Sequence, residues 1–160
     1  MKIRVGFGFD VHKLEPGYEF WLGGVKIEHT KGSVGHSDGD ALIHAICDAL
    51  LGAAGLRDIG VHFPDNDPTL KGIDSKILLK KTVDILTEKG VSIGNIDSTI
   101  CLEKPKIKAL IPQMQQTLAK VMGIDTTDIS IKATTTETLG FTGREEGVSA
   151  YAVVLIEKSK

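Results

Sequence analysis

The chain reads as a single α+β domain over residues 1–160, a mixed β-sheet of about four to five strands with three helices packed on one face. Apolar residues alternate with period two near the start (Ile3, Val5, Phe7, Phe9), and the end, Val148 to Glu157, is strongly β-branched. Three segments carry helical patterns with polar or proline starts and glycine stops. A length of 160 residues suits one core and is short for two, and no internal repeat, linker or low-complexity tract divides it.

In chain order, Ile3, Val5, Phe7 and Phe9 alternate with Arg4, Gly6, Gly8 and Asp10, the pattern of a half-buried strand. Residues Glu19 to Ile27 form a glycine-broken strand region, and a polar, glycine-rich loop runs from Lys31 to Gly39. A helix follows from about Asp40 to Ala53, with Ile43, Ile46 and Leu50 on one stripe and Gly55 as its stop. Leu56 to Ile73 is too punctuated for a regular element and long for a loop, the kind of segment that serves function or moves. Asp74 is placed to cap a helix ending at Gly90, with Ile77, Leu78, Ile85 and Leu86 facing inward. A strand near Asn95 to Leu102, a helix from about Ala109 to Met122 with Pro112 in its first turn, and a strand from Ile129 to Thr134 complete the order before the last strand.

A formal charge of −2 and a pI near 6.2 argue against a nucleic-acid or acidic-membrane binder. The start, Met1-Lys2-Ile3-Arg4-Val5, lacks the apolar stretch of a secretory signal, and no run approaches a membrane span. Cys47 and Cys101 have no CxxC spacing and read as small buried hydrophobes in a reducing compartment. A cytoplasmic location is expected; a plastid enzyme stripped of its transit peptide would read the same way.

Asp10 and His12 lie two apart, so in a strand both side chains leave one face, beside Gly6 and Gly8, which admit a close neighbour. With His44 from the helix they form an N/O set suited to zinc with one position open, the pattern of a catalytic rather than a structural site. His29, His36, Asp38, Asp40 and His62 offer other groupings. Asp40 and Asp48 share a helix face with His44, so either aspartate could orient its imidazole. Thr134-Thr135-Thr136-Glu137 is either a β-branched strand end or a set of phosphate donors with Glu137 as a Mg²⁺ ligand. Lys104-Pro105-Lys106 reads as a turn or a phosphate contact, and the Gly140 to Gly147 segment as a hairpin turn or an anion or interface pocket using Phe141 and Arg144. No GxSxG, Walker or Rossmann pattern appears, and no Ser, Cys and His arrangement resembles an activated nucleophile.

Taken in order, several segments resemble the 2-C-methyl-D-erythritol 2,4-cyclodiphosphate synthase family. They are Gly8-Phe9-Asp10-Val11-His12, His36-Ser37-Asp38-Gly39-Asp40 with His44, Asp58-Ile59-Gly60, Phe63 to Pro68, Pro105-Lys106, Lys132 to Glu137, and Gly140 to Arg144. Each is weak alone; the ordered set, from about residue 3 to the last strand, is specific. The resemblance implies a homotrimer whose sheets face a central axis, with active sites at subunit interfaces. It implies a lyase of non-mevalonate isoprenoid synthesis that cyclises 4-diphosphocytidyl-2-C-methyl-D-erythritol 2-phosphate and releases CMP. It also implies a place for an isoprenoid diphosphate in the axial cavity.

By matching position, the resemblance makes Asp10, His12 and His44 the zinc ligands, and His36 and Thr135 the transition-state stabilisers, with Ser37 beside them on the substrate. Asp58 and Gly60 would contact ribose or erythritol, and the loop carrying Phe63, Asp65 and Asp67 would close over the methylerythritol. Leu102, Pro105, Lys106 and Lys108 would hold the cytidine. Thr134, Thr135, Thr136 and Glu137 would hold the diphosphate with Mg²⁺ or Mn²⁺. Phe141 and Arg144 would complete the substrate site or line the axial cavity. The chain departs from the family at Leu102-Glu103, where a small residue followed by Gln is common; cytosine recognition survives this if backbone groups read the base. The form with a fused cytidylyltransferase domain is not expected.

The implied chemistry fits the inventory, because the substrate's own phosphomonoester, with a second pKa near ~6, is the nucleophile and no protein base is required. The enzyme's task is to hold anions in line and offset their repulsion. The rival readings are a non-catalytic zinc protein that binds a prenyl diphosphate, and a zinc phosphohydrolase.

Overall fold

The computed structural model describes residues 2–159. Seven strands and five helices follow in the order β1 (Lys2–Glu15), β2 (Phe20–Leu22), β3 (Val25–Ile27), β4 (Gly32–Ser33), α1 (Ala41–Ala53), α2 (Ile59–His62), α3 (Ser75–Glu88), β5 (Val91–Cys101), α4 (Ile111–Met122), β6 (Ile129–Thr134), α5 (Gly140–Gly143) and β7 (Gly147–Lys158). The main sheet has five strands in the order β4-β1-β7-β5-β6, with β5 and β6 parallel and the other pairs antiparallel. The expected mixed α+β architecture is thus present, with β2 and β3 as a separate hairpin.

Helices α1, α3 and α4 cover one face of the sheet. That face is built from Val148, Ala150, Ala152, Val154 and Ile156 of β7, Ile96 and Ile100 of β5, and Ile129 and Ile131 of β6, all buried. On β1 the inward residues are Gly6 and Gly8, against which α1 lies so closely that a Cβ on either would meet the carbonyl oxygen of Ala49 or Ala45 at 1.9 Å. Ala45, Ala49 and Ala53, spaced four apart, give α1 the narrow side that fits this groove. The consequence reverses the simple reading of the β1 alternation. Its apolar members Ile3, Val5, Phe7, Phe9 and Val11 lie on the open face, with Val5 66% and Phe7 64% exposed, beside Tyr151 and Val153 of β7.

Asp40 is fully buried and caps α1 by accepting from the Ile43 N–H, while it also accepts from the N–H groups of Gly23 and Gly24. One carboxylate therefore ties the β2–β3 turn to the start of the helix that carries His44. The remaining elements differ from expectation in detail. The Leu56 to Ile73 stretch contains α2 and a 3₁₀ turn at Pro68–Leu70. Gly140–Gly143 is a helical turn, not the hairpin turn of the simple reading. Ile77, expected inward, is 47% exposed, because Leu78, Leu79, Thr82 and Leu86 form the buried side of α3. Among the described residues no helix is long and apolar enough to cross a membrane.

Candidate metal centre and substrate cavity

The period-two geometry of β1 sends Asp10 and His12 out of the same face as Gly6 and Gly8, toward α1. Because the glycines seat α1 low on the strand, His44 near its start reaches the same point. His12 Nε2 lies 2.7 Å from Asp10 Oδ2, His44 Nδ1 lies 3.1 Å from that oxygen, and the two imidazole nitrogens are 3.2 Å apart. This is the one group of three His, Cys, Asp or Glu side chains among the described residues whose donor atoms converge for a metal ion.

The donor set fits such an ion. His12 donates its Nδ1–H to the Val34 carbonyl at 2.8 Å, which leaves Nε2 as the ligand nitrogen. Tetrahedral ligands at zinc distances stand about 3.3 Å apart, close to the separations seen. Burial pushes the Asp10 carboxyl up, but the hydrogen bonds and charges of His12 and His44 outweigh it and hold the pKa at about 2. Burial likewise opposes charge on His12, and the Asp10 carboxylate overrides it, raising the His12 pKa above the ordinary imidazole value.

A cavity of about 410 Å³ opens over the triad, lined by His36, Ser37, Gly60, Phe63 and Asp65 with Ile59, Leu70, Ile73 and Leu78. His36 donates from Nε2 to the Asp67 carbonyl at 3.0 Å, so it is held by the segment that forms the opposite wall. Asp67 itself points elsewhere and caps the 3₁₀ turn through the Thr69 N–H and hydroxyl. Asp58 is exposed at the start of α2.

The expectation that Asp40 or Asp48 orients His44 is not met. Asp40 is occupied by the backbone bonds described above, and Asp48 accepts from the Ile59 N–H at 2.7 Å, tying α2 to α1. His44 Nε2 faces Ser37 Oγ at 3.1 Å and Ser75 Oγ at 2.9 Å instead. Ser75 carried no sequence signal beyond its place beside the helix cap Asp74. His29 and His62 stand outside the triad: the ring of His29 lies against Phe20, and His62 bonds the Leu56 carbonyl.

A second, smaller cavity of about 130 Å³ is lined by Leu102, Pro105, Lys106, Lys108, Thr134 and Thr135, with Ile107 and Ala133. Thr136 and Glu137 follow on an exposed loop, where Glu103 Oε2 accepts from the Thr136 N–H at 3.3 Å and Glu137 has a positive φ of 54°. Thus the departure at Leu102-Glu103 lies in this cavity wall and its tie to the threonine loop. Phe141 lines a third hollow with Val11, His12 and Lys13, and Arg144 is paired with Glu146 through two nitrogens. Asp10 pairs with Ala150, Ala150 with Ile100, and Ile100 with Ala133. Three inter-strand steps of ~4.8 Å therefore put the triad and the second cavity about 14 Å apart at one end of the sheet.

The model of the YgbB family matches residues 3–157. The chain belongs to the YgbB family. Its relatives include the 2-C-methyl-D-erythritol 2,4-cyclodiphosphate synthase of Bacteroides fragilis, 72% identical over 158 residues that cover 99% of each chain. Among solved structures, the IspF of Plasmodium falciparum in complex with CDP has a TM-score of 0.86 at 34% identity, covering 99% of this chain and 97% of that one. The bifunctional IspDF of Campylobacter jejuni has a TM-score of 0.95 at 42% identity over 99% of this chain, which spans 43% of that longer protein. The Plasmodium falciparum relative holds CDP, and in this chain the His/Asp triad is a group that could hold a metal ion.

Proposed function

We propose that this protein cyclises 4-diphosphocytidyl-2-C-methyl-D-erythritol 2-phosphate to 2-C-methyl-D-erythritol 2,4-cyclodiphosphate, releasing CMP as a phosphorus–oxygen lyase of isoprenoid precursor synthesis. The observation that carries the reading is the convergence of Asp10, His12 and His44 under a cavity walled by His36, Ser37, Gly60, Phe63 and Asp65. The full-length similarity to synthases of that name supports a cyclic diphosphate as the product.

In this reading Asp10, His12 and His44 hold Zn²⁺, which when bound supplies Lewis-acid stabilisation of phosphate charge. His36, fixed by the Asp67 carbonyl, and Thr135, at the rim of the second cavity, donate to phosphate oxygens as the bond rearranges. Ser37 contacts the same substrate. Asp58, Gly60 and the segment carrying Phe63, Asp65 and Asp67 enclose the sugar alcohol and limit water. Leu102, Pro105, Lys106 and Lys108 receive the cytidine, and Thr134, Thr136 and Glu137 receive the diphosphate, with Glu137 as the protein ligand for Mg²⁺ or Mn²⁺.

A separation of about 14 Å, three strand spacings across the sheet, supports assembly, since in one chain the second cavity and the triad lie apart. The open face bearing Ile3, Val5, Phe7, Phe9, Val11, Tyr151 and Val153 is a run of exposed apolar side chains on two paired strands, the kind of surface that marks an interaction site. Three copies with these faces toward a common axis would bury it and bring the triad of one subunit beside the nucleotide cavity of the next. Phe141 and Arg144 would then line the substrate site or the axial hollow, where an isoprenoid diphosphate would fit. A cytoplasmic location accords with this reading.

Incubating the protein with the cytidylated substrate, Zn²⁺ and Mg²⁺ and following ³¹P NMR tests the assignment. The expected products are CMP and a cyclic diphosphate; open-chain methylerythritol phosphates would identify a phosphohydrolase, and unchanged substrate would identify a binding protein.

A further inference from the structure

We propose that Ser75 and Asp38 form a positioning pair that fixes which nitrogen of His44 faces the metal focus. The inference rests on the reading of Asp10, His12 and His44 as ligands of a divalent ion and adds residues that contact neither ion nor substrate in that reading.

The argument follows the protons. His44 Nε2 is 2.9 Å from Ser75 Oγ, and Ser75 Oγ is 2.5 Å from Asp38 Oδ1. An ionised carboxylate only accepts, so the single serine proton goes to Asp38. The lone pair left on Ser75 Oγ then accepts from His44 Nε2–H. The proton of the neutral imidazole is thereby held on Nε2, and Nδ1 keeps its lone pair at the other edge of the ring, 3.1 Å from Asp10 Oδ2 and 3.2 Å from His12 Nε2. His12 is locked in the complementary sense by the Val34 carbonyl. Both imidazoles thus present a lone pair to one point beside the Asp10 oxygen.

The pair is itself held in place. Ser75 is completely buried at the first position of α3, and its backbone N–H donates to Asp38 Oδ2 at 2.9 Å while Asp38 Oδ1 also accepts from the Asp40 N–H at 3.1 Å. Two backbone bonds, Gly72 N–H to the His36 carbonyl and Asp38 N–H to the Ile73 carbonyl, join the same two segments. Ser37 Oγ also lies 3.1 Å from His44 Nε2. With the Nε2 proton committed to Ser75, the Ser37 hydroxyl proton remains available to the cavity that Ser37 lines.

Ser75→Ala removes the hydroxyl and leaves the α3 cap, since Asp74 still accepts from the Lys76 N–H. Zinc titration against a chromophoric chelator is expected to show 10–100-fold weaker binding at the triad, the usual loss when the partner of a metal-bound histidine is removed. In the zinc-loaded protein, ¹⁵N-histidine spectra are expected to show the His44 proton on Nε2 and slow to exchange with water, and exchanging measurably faster in Ser75→Ala. Asp38→Asn, which replaces one accepting oxygen by a donor, is expected to shift both readouts the same way. The proposal is overturned if Ser75→Ala binds zinc within twofold of the unsubstituted protein, or if exchange of the His44 Nε2 proton in the zinc-loaded protein is unchanged. An unsubstituted protein that binds no zinc at the triad overturns the metal reading, and the proposal with it.

Discussion

Gly8 and Ala45 touch backbone to backbone: a Cβ added to Gly8 would lie 1.9 Å from the Ala45 carbonyl oxygen and 2.7 Å from the Ala49 nitrogen. The neighbour of Ala45 is His44, so the depth at which α1 sits on β1 sets the height of His44 over Asp10 and His12. Gly8→Ala is expected to lift the helix. The overpacking should cost about 1–3 kcal/mol, or more because the clash is with backbone, and zinc affinity should fall together with Tm. Thermal melts with a zinc titration check this; an unchanged affinity in a destabilised protein would detach the seat from the site.

Asp40 serves three backbone N–H groups from two elements while fully buried. Asp40→Ala strands those donors, and a loss of about 3 kcal/mol or more is expected. Urea unfolding measures it. A loss below about 1 kcal/mol would mean that water replaces the carboxylate.

His44→Ala and His36→Ala separate metal binding from substrate handling. The first should lose zinc and nearly all turnover with its far-UV circular dichroism intact. The second should retain zinc, because His36 bonds the Asp67 carbonyl rather than the triad, and lose turnover. Metal analysis after gel filtration, beside CMP release, distinguishes them; a His36 variant that emerges without zinc contradicts its role.

Thr135→Ala removes a hydroxyl in the wall of the smaller cavity. If that hydroxyl acts in the transition state, kcat should fall on the order of 10²-fold with a smaller change in KM. Steady-state kinetics with the cytidylated substrate decide it, and a rise in KM alone would make Thr135 a ground-state contact.

Burial pushes the Cys47 thiol up to about 12, so at pH 8 the reactive thiolate is a minute fraction and grows tenfold with each added pH unit. A thiol reagent at pH 8 should therefore count at most one cysteine in the native protein and two in denaturant. Fast native labelling of Cys47 would show that α1 opens far more readily than its packing implies.

Much of this molecule is readable where a local rule decides the outcome. The two-residue spacing puts Asp10 and His12 on one face, Asp74 caps α3, the Gly123 stop ends α4, and β6 spans Ile129–Thr134 as its branched residues dictate. The reading fails where a neighbour decides. Alternation on β1 identifies two faces but not which one α1 chooses, and the glycine side wins because only it lets a helix of alanines lie against the strand. Ile77 looks inward on helical spacing, yet Leu78 and Leu79 are the buried residues at that turn. Ser75 could not be found from its own surroundings at all, since its meaning depends on His44, thirty-one positions away.

All three converging donors, and the Val34 carbonyl that aligns one of them, come from a single copy of the chain. A single folded chain therefore brings the three donors together on its own. At a fixed concentration of free ion, metal uptake should then be first order in protein and its half-time insensitive to protein dilution, whereas the assembly proposed above would require a collision between molecules. In the proposed assembly, an ion would already be seated when one copy meets the next.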